Sequence, residues 1–318
     1  MMAAVGRPAL FVVAVALCCV CGCAATTAEG IGDEEQVIAN LKKAKEKVDE
    51  AKNALNDAKR KVEDVKSAAD KFKTAADTAS KEAAALNNKV EAETSIEKIK
   101  NDVVSLANTA MNTAKASDES VGVIVKKVTE AVKATTAAGN LLTAAQGMAG
   151  SAADVTDEVI STEAERTKEA FVKLAAVLEE LTNAQRSAEK AKTAATMKGN
   201  AFNAMESAKE AHDLFKKKVP ETPLPAIKDL QTAAKKVVDL TTAAVQDATA
   251  ASSAANEASG YADKAVKSAE SWLGEIVVLL QALKKREKEP EASPSDADSP
   301  SQDEAQGQSI PQEPLSST

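Results

Sequence analysis

The chain has 318 residues, room for one large domain or two ordinary ones. Aromatic residues are only 2% of it, which excludes a globular core of the usual kind, while an alanine-dominated 44% apolar content and 28% charge of both signs match long helices. The net charge of −8 is unevenly placed: Pro290 to Thr318 holds six acidic residues and no basic one, so the body is close to balanced and lacks the basic face that nucleic-acid binding needs.

The first element is a targeting segment. Met1 to Arg7 carries one positive charge, Ala9 to Cys21 is apolar, and the small residues of GCAATT follow. This pattern predicts a secretory signal peptide over residues 1–25, cut near Cys23 to Thr26. The apolar run is short for a membrane span of about 20 residues. All four cysteines (Cys18, Cys19, Cys21, Cys23) lie inside this segment, so the mature chain would have no disulfide and must hold together by packing. VCGC, Val20 to Cys23, loosely resembles a bacterial lipoprotein box with Cys23 lipidated, but four clustered cysteines and a single arginine fit it poorly. No Asn-x-Ser/Thr sequon occurs.

Residues 26–289 are expected to form an elongated helical bundle. Proline is absent from Ala9 to Val219, then arrives three times in PETPLP, Pro220 to Pro225, and is absent again until Pro290. A proline inside a helix costs about 3 kcal/mol, so such gaps permit very long helices with PETPLP as the hinge between two of them.

Steps of four and three from Val37 reach Leu41, Ala44, Val48, Ala51, Leu55, Ala58, Val62, Val65, Ala69, Phe72, Ala76, Ala79, Ala83, Leu86 and Val90. Every position is apolar, where composition alone would fill about seven of the sixteen, and the intervening residues are charged runs. After Val90 the phase slips. The stripe resumes at Ile96, Ile99, Val103, Leu106 and Ala110, with Thr94 and Glu97 as a capping box or a bend. Ser117 to Glu119 has the character of a stop and a new N-cap. A shorter stripe of Val121, Val125, Val128, Val132 and Leu142 then runs to an expected turn in GMAGS, Gly147 to Ser151.

A third long helix is expected from about Ala152 to Val219. Its inner face would be Phe171, Leu174, Leu178, Leu181, Ala188, Ala191, Ala195, Phe202, Met205, Phe215 and Val219. The last seam starts at Ile227 and passes Leu230, Ala234, Val237, Thr241, Ala244, Ala248, Ala251, Ala255, Ala258, Ala262, Ala265, Ala269, Trp272, Ile276, Leu279 and Leu283. Its middle is a core of methyl groups, each contributing about 0.8 kcal/mol on burial. Alanine compensates with the best helix propensity and no side-chain entropy to lose. The seams from Val37 and Ile227 should share one core, in an all-α bundle of three long antiparallel helices and a shorter segment. Its length should be about 80 Å or more at 1.5 Å per residue. Pro290 to Thr318, rich in proline, serine and acid, is expected to be a disordered tail.

The residues that carry chemistry elsewhere are isolated here. His212 is the only histidine and is expected to be a partly buried structural residue. The carboxylates alternate with lysines at helical spacing, as in EKVDEAK, which is surface pairing. Gly147 and Gly150 suit a turn; Tyr261 and Trp272 suit core or end-cap positions. No catalytic, cofactor-binding or metal-binding residue and no cofactor is expected, and the chain is expected not to be an enzyme.

A signal segment, a cysteine-free alanine/glutamate/lysine-rich body with heptad seams from Glu29 to Lys288, and a Pro/Ser/acid tail together resemble the alanine-rich surface proteins of African trypanosomes. These include the glutamic acid/alanine-rich protein and the brucei alanine-rich protein. The resemblance implies an extended helical bundle at the cell surface, forming a coat on insect-stage cells. Such proteins end in a hydrophobic tail that directs a GPI anchor, whereas this chain ends in EPLSST. Lateral packing with like molecules is the partnership that follows. Membrane contact would be only through an anchor not visible in the chain, and no nucleic acid is involved. The alternative is a receptor binding a host ligand through loops at GMAGSAAD (Gly147 to Asp154) and KVPETPLP (Lys218 to Pro225), though both lack the aromatic and arginine anchors of interaction hot spots. A protein that folds only on drying is a third reading. Its repeats would have an 11-residue period, against the seven kept here.

Overall fold

A computed structural model describes residues 31–92, 102–156, 161–218 and 225–286, and all of these residues except 197–199 are helical. The helices are α1 (Ile31–Ala92), α2 (Asp102–Thr156), α3 (Ser161–Thr196), α4 (Asn200–Lys218) and α5 (Pro225–Arg286). Among the described residues there is no strand. The expected signal peptide, the Thr94–Glu97 capping box and the tail from Pro290 lie outside the described residues.

The helices make four arms, because α3 and α4 follow one another along the same line. Around the cross-section, α1 packs on α2 and α5, and the α3–α4 arm packs on the same two, diagonally opposite α1. Adjacent arms are antiparallel. The core falls into three levels along the axis. One end joins the start of α1, the end of α2, the start of α3 and the end of α5, with Leu41, Leu142, Leu174 and Trp272 among its members. The middle level contains Phe72, Ile124, Ala191 and Ala255. The far end contains Leu86, Ala107, Phe215 and Leu230. This is an up-down-up-down four-helix bundle.

The two seams starting at Val37 and Ile227 close as expected. All sixteen positions from Val37 to Val90 are buried, within one unbroken helix of 62 residues. So are all seventeen from Ile227 to Leu283, in a second helix of 62 residues. Thr241, the only polar member, is 1% exposed and satisfies its hydroxyl by donating to the Val237 carbonyl at 2.8 Å. The methyls of Ala244, Ala248, Ala251, Ala255 and Ala258 all face the core.

Polar pairs along the flanks keep a constant antiparallel register. Between α1 and α5, Lys52 meets Glu270, Lys59 meets Asp263, and the Ser252 hydroxyl donates to Asp70 at 2.7 Å. Between α1 and α2, Lys61 meets Glu130, Lys127 meets Asp64, and Lys89 meets Asp102. Each step forward on one helix is one step back on its partner, so neither interface slips.

The middle of the chain departs from expectation in two places. The shorter segment is a full arm: α2 is continuous for 55 residues, through both the expected stop at Ser117–Glu119 and the expected turn at Gly147–Ser151. Its seam runs Val103, Ala107, Ala110, Ala114, Ser117, Val121, Ile124, Val128, Ala131, Thr135, Ala138, Leu142, Ala145, Ala149 and Ala152, with unbroken heptad steps and every member buried or half-buried. Ile124 rather than Val125 is the inward residue. Two hydroxyl residues, Ser117 and Thr135, take seam positions and hide the repeat, since a hydroxyl is small enough for such a core. The third long helix, in turn, is two helices separated at Met197–Gly199.

Candidate functional site: the break in the third arm

The break is built by one glycine. Gly199 has φ +59°, the left-handed region that side-chain-bearing residues rarely enter. The last turn of α3 closes on it: the Met197 N–H donates to the Thr193 carbonyl at 2.8 Å and the Gly199 N–H to the Thr196 carbonyl at 3.3 Å. The Gly199 carbonyl then accepts the Asn203 N–H at 2.9 Å, opening α4. Gly199 thus ends one helix in the manner of an αL cap and starts the next. Asn200 ties the junction to the neighbouring arm, its Nδ2 donating to Asp247 of α5 at 2.8 Å.

The break also shifts the seam. Ala195 and Ala201 are successive buried residues six positions apart, where two unbroken heptad steps, one of three and one of four, would span seven. A continuous helix would turn Phe202, Met205 and His212 inward. The interruption brings Ala201, Ala204, Ala208, Ala211 and Phe215 to the core instead. Phe202 is therefore 52% exposed, a correction to its expected inner position, and Met197 is 69% exposed at the same junction. Leu174, Leu181, Ala188, Ala191, Ala195 and Phe215 are buried as expected; Phe171, Leu178 and Met205 are half-buried. Val219 lies outside the described residues.

The remaining singled-out residues are dispersed along the rod. His212 is half-buried on α4, its Nδ1 3.3 Å from Asp213 Oδ1. Trp272 is fully buried at the opposite end, and its Nε1–H donates to the Ala170 carbonyl at 2.7 Å, clamping α5 to α3. Tyr261 is half-buried under the Lys264 ammonium, 5.3 Å from the ring centre. Gly147 and Gly150 are helical, not a turn. At Gly150 an added Cβ would come within 3.2 Å of Phe171 Cε2, so the glycine there admits the aromatic ring. The GMAGSAAD loop of the receptor reading is consequently helix throughout, and in KVPETPLP residues 219–224 lie outside the described residues.

Ion pairs run along several flanks, among them Lys59–Asp263 between α1 and α5 and Lys173–Glu275 between α3 and α5, each raising the lysine pKa. On the α1–α2 side Lys61, Asp64, Lys127 and Glu130 form a chain of half-buried ion pairs. Hydrogen bonds from Lys127 and Lys61 lower the Glu130 pKa, and those to Asp64 and Glu130 raise that of Lys127. Between α2 and α4, Asp118 has a raised pKa, first from burial and then from the negative charges of Glu119 and Glu206.

Concave features are shallow. A groove of about 550 Å³ is lined by Glu63, Lys66, Asp70, Lys71 and their neighbours, all from the outer side of α1 alone. Another of about 380 Å³ lies between α3 and α5, beside Arg166, Lys173, Glu275 and Val278. Among the described residues no group of three or more His, Cys, Asp or Glu could hold a metal ion, and no helix is long and apolar enough to cross a membrane.

No family model, curated protein or solved structure matches this chain.

Proposed function

We propose that the protein is a non-enzymatic structural component of a cell-surface coat, of the kind formed by alanine-rich trypanosome surface proteins. The observation that supports this reading most directly is the form of the bundle. Two 62-residue helices each keep one seam along their whole length, giving a rod of about 93 Å at 1.5 Å per residue. Its outer faces are lined with lysine–carboxylate pairs of both signs, such as Lys45–Asp49 and Lys47–Glu50. Slender rods with balanced flanks can stand side by side without strong repulsion, which is what a shielding layer demands. In this reading the N-terminal segment directs secretion.

Antibodies raised against the bundle should label intact, unpermeabilised cells that express the chain. Labelling that appears only after permeabilisation would rule out the coat. A pull-down with host serum and insect-gut fluid should return no saturable ligand; a stoichiometric ligand would favour a receptor instead.

A further inference from the structure

We propose that the Lys198–Gly199 peptide bond is a proteolytic processing site for serine proteases of the trypsin class, and that the rod stays assembled after the cut. A protease must draw several residues into an extended form, which an intact helix resists and a helix junction concedes. Lys198 is exposed in the turn between α3 and α4, the one interruption of helix inside a continuously described arm. Its ammonium supplies the charge that the specificity pocket of such proteases binds.

The neighbourhood is also the weakest-anchored part of the arm. From Ala184 to Ala211 every fully inward side chain is alanine or serine, and the next large buried group is Phe215. The opposite stretch of α5, Ala244 to Ala269, offers the α3–α4 arm little but methyls and Ser252 as buried partners. By contrast, α1 and α2 bring Val62, Val65, Phe72, Ile124 and Val128 to the same level. Releasing a turn on either side of Gly199 therefore withdraws only small groups from the core. The polar tie described at the junction is the Asn200–Asp247 hydrogen bond.

The reaction is hydrolysis. The bond between the Lys198 carbonyl carbon and the Gly199 nitrogen breaks; water gives its hydroxyl to the carbon and its hydrogen to the nitrogen, leaving a carboxylate and a new amino terminus. The two pieces remain joined, because α3 and α4 each pack independently on α2 and α5.

Limited digestion of the folded full-length protein with trypsin, followed by mass spectrometry, tests this. The fragments ending at Lys198 and beginning at Gly199 should appear before any cut at lysines or arginines inside α1, α2 or α5. They should co-elute in gel filtration with helicity retained. Lys198→Gln should abolish that cut. Asn200→Ala should accelerate it by about fivefold, the effect of losing one hydrogen bond when cleavage follows the opened population. The proposal is overturned if helical lysines are cut as fast as Lys198, if the bond survives while they are cut, if Asn200→Ala leaves the rate unchanged, or if the fragments separate on cleavage.

Discussion

At the residue scale this protein substitutes number and placement for size. Its middle core is filled by groups such as Ala255 and Ala258, both fully buried against neighbouring arms. Space there is matched to a methyl, so enlarging one should be costly. Ala255→Leu is expected to destabilise by about 1–3 kcal/mol through overpacking, read as a lower urea midpoint with unchanged helicity before the transition. Asp118 gives a pH-dependent case. Its folded pKa is raised, so the native state holds the proton more tightly than the unfolded chain, whose value is about 3.8. The carboxylate therefore weakens the fold increasingly as pH rises above about 3.8, until it is fully ionised in both states. Asp118→Asn should raise the urea midpoint at pH 7 and lose that advantage at pH 3. An equal gain at both values would show that titration is not the cause.

At the element scale, what decides the fold is whether a seam stays in phase. The α1 and α5 seams were legible because each departs from apolar character at most once, at Thr241. The α2 seam was hidden by Ser117 and Thr135, and by glycines that elsewhere would end a helix. Thr135 is satisfied by its own backbone, its hydroxyl donating to the Val132 carbonyl at 3.0 Å, and Gly150 leaves room for the Phe171 ring, which would have to shift by a few tenths of an ångström beside a Cβ. The break at Gly199 left a fainter trace: Ala195 and Ala201 are six apart, but only knowledge of which alanines face inward reveals the missing position. This suggests a direct check. Inserting one alanine after Met197, together with Gly199→Ala, restores seven-residue spacing and should fuse α3 and α4. Helical circular dichroism should rise and amide exchange at the junction should slow. A fall in helicity would mean that something other than seam phase holds the break open.

At the scale of the whole molecule, four arms of similar length share three core levels, and the large side chains are distributed unequally among them. Trp272, Ile276, Leu279 and Leu283 anchor one end, and Leu86, Val90, Phe215 and Leu230 the other, with the α3–α4 arm held by methyls between. Small-angle scattering from the folded protein should give a rod-like profile whose long dimension is at least about 93 Å, from 62 residues at 1.5 Å each. A compact profile would mean the arms fold back on themselves. The sequence by itself determined the all-α class, the two longest helices and their inward residues, because heptad spacing is a local property of a straight helix. The tertiary structure alone decided that there are four arms rather than three and a fragment, that α2 runs through serine and glycine, and that Gly199 turns Phe202 out to solvent. Those outcomes depend on how much room the neighbouring arms leave at each level. A small polar residue, a glycine or a one-residue slip carries no sign of its fate until the surrounding helices are in place.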